Sequence, residues 1–211
     1  VDSDIGIGND MMSEPKKIAE KIIEQIEGSI KLVDEKQIED MVQLIMDSKK
    51  IFVAGSGRSG FVARSFASRI VDLGYEVYVV GETITPSAKS LDTIIAISGS
   101  GETSYTLNAA EVGKKLGAKI IAITSYPESP LARLGDVVVH MPGRITGPVQ
   151  ASIKDYLTRQ ITGIHEPFTP AGTAFELACM VLLESVVITI KERREGIEGN
   201  YESVRAAVKV N

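Results

Sequence analysis

The sequence is poor in the residues that carry redox, metal and membrane chemistry. Its one cysteine, Cys179, lies in an apolar run, so no intrachain disulfide is available and a buried, inert thiol is expected. Such cysteine usage fits a reducing compartment. There are two histidines, His140 and His165, and neither has a second ligand at the short spacings of a metal site, so no metal is expected. No uninterrupted apolar run approaches the roughly 20 residues needed to span a bilayer. No signal-peptide pattern opens the sequence, and the cytoplasm is the expected location. Positive charge is also in deficit. A net charge of −5 and a pI near 5.2 argue against nucleic acid or an anionic membrane as partner. An anionic ligand would have to be held by local donors, against the net field. There is no low-complexity tract.

What is present is a strand–helix alternation. With 211 residues, 44% of them hydrophobic, the chain suits one domain with a sizeable core. Helical spacing is predicted from Ser13 (an N-cap) through Ile18, Ile22, Ile26, Ile30 and Val33, and again over 35–48. The first of these helices either covers the core or packs on another subunit. Strands are then predicted at 50–54, 75–80, 93–97, 119–124 and 137–140, with helices over 59–73 and 104–116 and a short one starting at Ser129-Pro130. A long helix is predicted over 173–191. Short, glycine-punctuated connections predict an α/β fold, a doubly wound parallel sheet with helices on both faces. Ligands of such sheets collect at the carboxyl ends of the strands.

Two glycine-rich loops fall at those ends. The buried run Ile94-Ile95-Ala96-Ile97 stops at Ser98-Gly99-Ser100-Gly101, and a helix begins after Glu102-Thr103. Free backbone N–H groups, a helix N-terminus and three hydroxyls meet there, a combination that suits a phosphate. The alternative is a tight turn whose glycines serve only the backbone. The second loop, Gly55-Ser56-Gly57-Arg58-Ser59-Gly60, fits G-x-G-x-x-G, with Glu82 at the end of the next strand, as in a dinucleotide fingerprint. Arg58 and Ser59 suit a terminal phosphate better than a bridging pyrophosphate. A second hydroxyl-rich loop is also foreign to a dinucleotide site. Two loops flanking one crevice fit a small phosphorylated molecule.

Together with Pro170-Ala171-Gly172-Thr173-Ala174-Phe175-Glu176, these loops resemble the three signatures of sugar isomerase (SIS) domains. More narrowly, with Gly81 to Pro86, they resemble the 6-phospho-3-hexuloisomerases, over a stretch from Lys16 to Ile190. The resemblance implies a five-stranded α/β sandwich forming homotetramers. It implies interconversion of 3-hexulose 6-phosphate and fructose 6-phosphate without metal or organic cofactor, in ribulose monophosphate metabolism or archaeal pentose synthesis. On this reading residues 1–12 are a disordered extension, 13–195 a single SIS domain and 196–211 a tail.

Moving a carbonyl between C3 and C2 through an enediol requires one base and donors to the enediolate oxygen. Glu176 is the candidate base; the competing expectation is an N3 carboxylate of a capping box, with Thr173 as N-cap. Glu102 is the rival base or a partner of the helix N-terminus. Ser98, Ser100 and Thr103 would hold the phosphate, with the backbone of Gly99 and Gly101. Gly57, Arg58 and Ser59 would contact the sugar or its phosphate. His165 is either an exposed loop histidine or a proton shuttle, and His140 is structural. One departure stands out. Related isomerases end in an Arg-His-Ala-Asn-Leu-Glu-like segment, whereas this tail reads Val204-Arg205-Ala206-Ala207-Val208-Lys209. Either His165 substitutes, or the tail is divergent, or catalysis has been lost. Three readings follow: an isomerase of a phosphorylated ketose, an isomerase of another phosphosugar, and a non-catalytic sugar-phosphate-binding module.

Overall fold

In the computed structural model, residues 14–143, 161 and 170–196 are described. The extension at 1–12, the Ser13 cap, His165 and the tail from 197 onward lie outside the described residues. The elements run α1 (Glu14–Lys31), α2 (Glu35–Met46), β1 (Lys50–Gly55), α3 (Gly57–Val71), β2 (Glu76–Val79) and β3 (Thr93–Ile97). They continue with α4 (Ser104–Lys115), β4 (Lys119–Thr124), α5 (Pro130–Leu134), β5 (Val137–His140) and α6 (Pro170–Glu195). The described strands form one parallel sheet in the order β2-β1-β3-β4-β5.

The central strands β1, β3 and β4 carry continuous apolar runs because both faces are covered, and alternate residues supply separate cores. Ile51, Val53, Ile95, Ile97, Ile121, Ile123 and Val139 point to one face, where they meet α2, α3 and α6 through Val42, Phe66 and Phe175. Phe52, Ile94, Ala96, Ile120 and Ala122 point to the other and pack with Ala110 of α4 and Leu131 of α5. Ala54, Ala96 and Ala122 sit in register across β1, β3 and β4. Such small side chains let a helix come close to the carboxyl end of the sheet.

The last helix is the largest contributor to the thicker core. Ala174, Phe175, Ala178, Cys179, Leu182, Leu183, Val186, Val187 and Ile190 are buried at helical spacing. By length and composition α6 could cross a membrane. That apolar stripe, however, is buried inside the domain, as in a core helix. Cys179 is the buried thiol expected, its ionisation pushed to higher pH by burial and then by the charge of Glu176. Alongside α6 lies α1. Its Ile26 and Ile30 pack against the core, while Ile18 and Ile23 remain exposed.

Candidate active site

The sheet reverses its direction of winding between β1 and β3. From β1 the chain passes into α3 on one face, and from β3 into α4 on the other, so the two loops part above neighbouring strand ends. Gly55 and Ile97, the last residues of these strands, are direct partners. This is the topological switch point of the fold, where a crevice opens.

The two loops are built differently. After β1 there is almost no loop: Gly55 leads through Ser56 into α3, which begins at Gly57 and not near Ser59 as the spacing predicts. The early start is possible because strand end and helix approach closely. A Cβ on Gly55 would lie 2.7 Å from the Ser59 carbonyl oxygen, and one on Gly60 would lie 2.8 Å from that of Gly55. Gly57, Arg58 and Ser59 therefore form the first helical turn, with Ser59 buried and Arg58 turned outward. The loop after β3 is a folded hydroxyl cluster. Ser98 Oγ donates to Thr103 Oγ1 at 3.0 Å and accepts from the Gly101 amide at 3.1 Å. Ser100 Oγ accepts from the Glu102 amide at 3.3 Å. The Gly99 carbonyl is tied to β4 by the Ser125 amide at 3.1 Å. Gly101 has φ +63°, and a side chain there would run into Ser129.

Helix capping separates these two helices from α2 and α5. Asp34 caps α2 through the Gln37 amide, and Ser129 caps α5 through the Ala132 amide. The N-cap residues of α3 and α4, Ser56 and Thr103, make no side-chain hydrogen bond to their helices. Thr103 instead holds the hydroxyl of Ser98. Both uncapped helix starts thus face the crevice, each with the positive end of a helix dipole.

Glu176 arrives from α6. A Cβ on Gly143, just beyond β5, would lie 2.8 Å from the Phe175 amide nitrogen. The next residue, Glu176, lies with Oε2 at 3.9 Å from Arg58 Nε. The beginning of α6 therefore crosses the carboxyl end of the sheet, from β5 toward the segment after β1. The Glu176 side chain is 13% exposed, and its Oε2 is buried with no hydrogen-bond partner among the described residues. The expected capping box is not formed: α6 starts at Pro170, a favoured first-turn residue, so Glu176 lies well inside the helix.

The remaining expectations divide. Glu102 is half-buried at the loop, its amide held by Ser100. Glu82 is engaged by Arg64 at 2.9 Å, where a dinucleotide site would need it for a ribose. His140 is structural: its amide donates to Gln37 Oε1 at 2.9 Å, and its Nε2 lies 3.1 Å from the Ser125 carbonyl oxygen. Two features were not legible in the motifs. Ser129 and Ser125 brace the hydroxyl loop from β4 and α5, and Arg58 pairs with the acid from α6. A loop glycine needing a small neighbour was the only signal for the first, and the second left none.

Fold and site together define an open, doubly wound α/β protein of the kind that takes its ligand at a switch point. The SIS domain family matches residues 44–163. A 3-hexulose-6-phosphate isomerase of Mycobacterium gastri is 37% identical over 163 residues, which cover 77% of this chain and 75% of that one. One from Bacillus subtilis is 31% identical over 174 residues, covering 82% and 88%. The crystal structure of a Methanococcus jannaschii protein, described as inferring a molecular function of 3-hexulose-6-phosphate isomerase, matches with a TM-score of 0.64 at 29% identity. It covers 87% of this chain and 92% of that one. The chain belongs to the SIS domain family.

Proposed function

We propose that the protein is a phosphosugar isomerase that interconverts 3-hexulose 6-phosphate and fructose 6-phosphate, working as a homotetramer. The observation that carries this reading is Glu176: a carboxylate with a buried oxygen that accepts no hydrogen bond among the described residues, next to the start of α3, whose N-cap Ser56 makes no side-chain cap. A desolvated acceptor with no partner is costly in a resting fold and useful to a general base. The names of the relatives above support the choice of substrate.

In the proposed reaction the phosphate is held by Ser98, Ser100 and Thr103, with the backbone of Gly99 and Gly101. Glu176 removes the proton from C2, and the C2–H electron pair forms the C2=C3 double bond as the C3 carbonyl becomes an enediolate. Donors from the start of α3 stabilise that oxygen. The proton returns at C3 while the C2 hydroxyl gives up its own proton, leaving the ketone at C2. His165 is the proposed carrier of that hydroxyl proton from O2 to the enediolate oxygen on C3, which becomes the C3 hydroxyl. Atoms balance without any co-reactant.

The test is a coupled assay that supplies 3-hexulose 6-phosphate and follows fructose 6-phosphate. Glu176→Gln is expected to lower kcat by about 10²–10⁴-fold, as for loss of a general base, with fructose 6-phosphate binding retained. Turnover that survives this change would move the base to Glu102 or His165. Binding without turnover in the intact protein would favour a sugar-phosphate-binding module.

A further inference from the structure

Four arginines of the described residues approach a carboxylate, and three do so at hydrogen-bond distance. Arg64 meets Glu82 at 2.9 Å, Arg69 meets Glu184 at 3.0 Å, and Arg193 meets Glu39 at 2.6 Å. Arg58 stands apart at 3.9 Å from Glu176 Oε2, beyond the range of an N–H···O bond. The guanidinium is therefore a charge near the carboxylate that leaves its lone pairs unoccupied.

The surroundings make that charge matter. Glu176 Oε2 is buried and accepts no hydrogen bond among the described residues, so no protein donor there offsets its desolvation. One turn along α6, Cys179 is fully buried and its thiol is held neutral by burial and by Glu176 itself. Arg58 sits in the first turn of α3, where the helix dipole adds to its own charge. No other ion pair or hydrogen bond engages the Arg58 side chain among the described residues, and 52% of it is exposed. It is a tethered cation facing one buried acid.

We propose that Arg58 is a positioning residue acting through Glu176: its guanidinium keeps the buried carboxylate oriented at the crevice while leaving Oε2 free of a hydrogen bond. The inference rests on the reading of Glu176 as the base. It differs from a role for Arg58 as a clasp on the phosphosugar, which would appear in KM.

The experiment combines Arg58→Ala, Glu176→Gln and the double variant in the assay above. Arg58→Ala is expected to lower kcat by about 10–100-fold, with KM changed less than about threefold. Because the side chain is half exposed, Tm should shift by less than about 2 °C. Guanidinium ion at non-denaturing concentration should restore part of the lost kcat, and tetramethylammonium at equal ionic strength should not. In the Glu176→Gln background, Arg58→Ala should change the residual turnover by less than about twofold, since the two act as a unit. A raised KM with kcat unchanged would overturn the proposal in favour of a clasp. An equal loss in both backgrounds would overturn it too, showing that Arg58 acts without Glu176. So would a fall in Tm with no rescue, which marks a structural residue. If Glu176→Gln retains full turnover, or the intact protein has none, the base reading itself fails and this inference with it.

Discussion

Gly101 shows how tightly a single position is specified. Its positive φ and the approach of Ser129 exclude a side chain for two independent reasons. Gly101→Ala is expected to destabilise the protein by about 2–3 kcal/mol by denaturant unfolding, and to raise KM because the hydroxyl cluster must open. Wild-type stability would mean both that Ser129 can retreat and that the backbone here can leave its positive φ without cost. The glycine is legible in the sequence because it stands in a compact Ser-Gly-Ser-Gly run. Its neighbour is not, because Ser129 belongs to a later strand–helix connection and reads only as a helix cap. The same holds for Arg58 and Glu176. Each is marked by its own motif, but their proximity depends on where α6 docks, and no local pattern records that.

Helix starts and strand ends carry the next set of expectations. Thr103 leaves the start of α4 without a side-chain cap, so a better cap should exchange function for stability. Thr103→Asn is expected to stabilise the fold by about 0.5–1 kcal/mol, and to raise KM several-fold because the first-turn amides become occupied. An unchanged KM would place the phosphate elsewhere. At the far edge, Asp136 docks β5 onto β4: its carboxylate accepts from the Ile120 amide at 2.9 Å and from Lys119 Nζ at 3.1 Å. Burial raises its pKa, but the Ile120 amide and the lysines outweigh it, and the net direction is down. A lowered pKa in the folded state contributes stability above the ordinary carboxylate range, lost as pH falls through the folded value. Asp136→Asn should therefore cost about 1 kcal/mol at neutral pH, with the difference from wild type closing below about pH 3. A constant difference across that range would show that packing and not charge is responsible. The strands themselves were legible almost to the residue, because burial on both faces leaves continuous apolar runs. The start of α6 was misplaced by three residues, because Gly172 reads as a break and Pro170 as a loop, although proline belongs in a first helical turn.

For the whole molecule, net charge and assembly are the relevant quantities. With a net charge of −5, the proposed binding of a phosphate dianion works against the protein's own field. The value of kcat/KM for the phosphosugar is expected to hold or rise as salt goes from about 20 to 200 mM, since screening relieves the repulsion. A steep fall would reveal local attraction strong enough to steer the substrate. The exposed Ile18 and Ile23 of α1 give the proposed tetramer an apolar surface to cover. Light scattering that finds a monomer at micromolar concentration would remove that proposal. Fold class and helix placement were legible because each strand–helix unit is local in the chain. The crossing of α6 over the sheet was not, because it joins the end of the described chain to its beginning.

That crossing also sets an order in time. The two anion-facing helix starts and the residues that brace them are complete once β1 to α5 have been synthesised, whereas Glu176 is added only with the last described helix. A nascent or refolding chain is expected to acquire its affinity for sugar phosphate before its turnover, with contacts of high sequence separation forming last. A chain caught between the two would hold the substrate without converting it, so protein synthesis itself separates grip from chemistry.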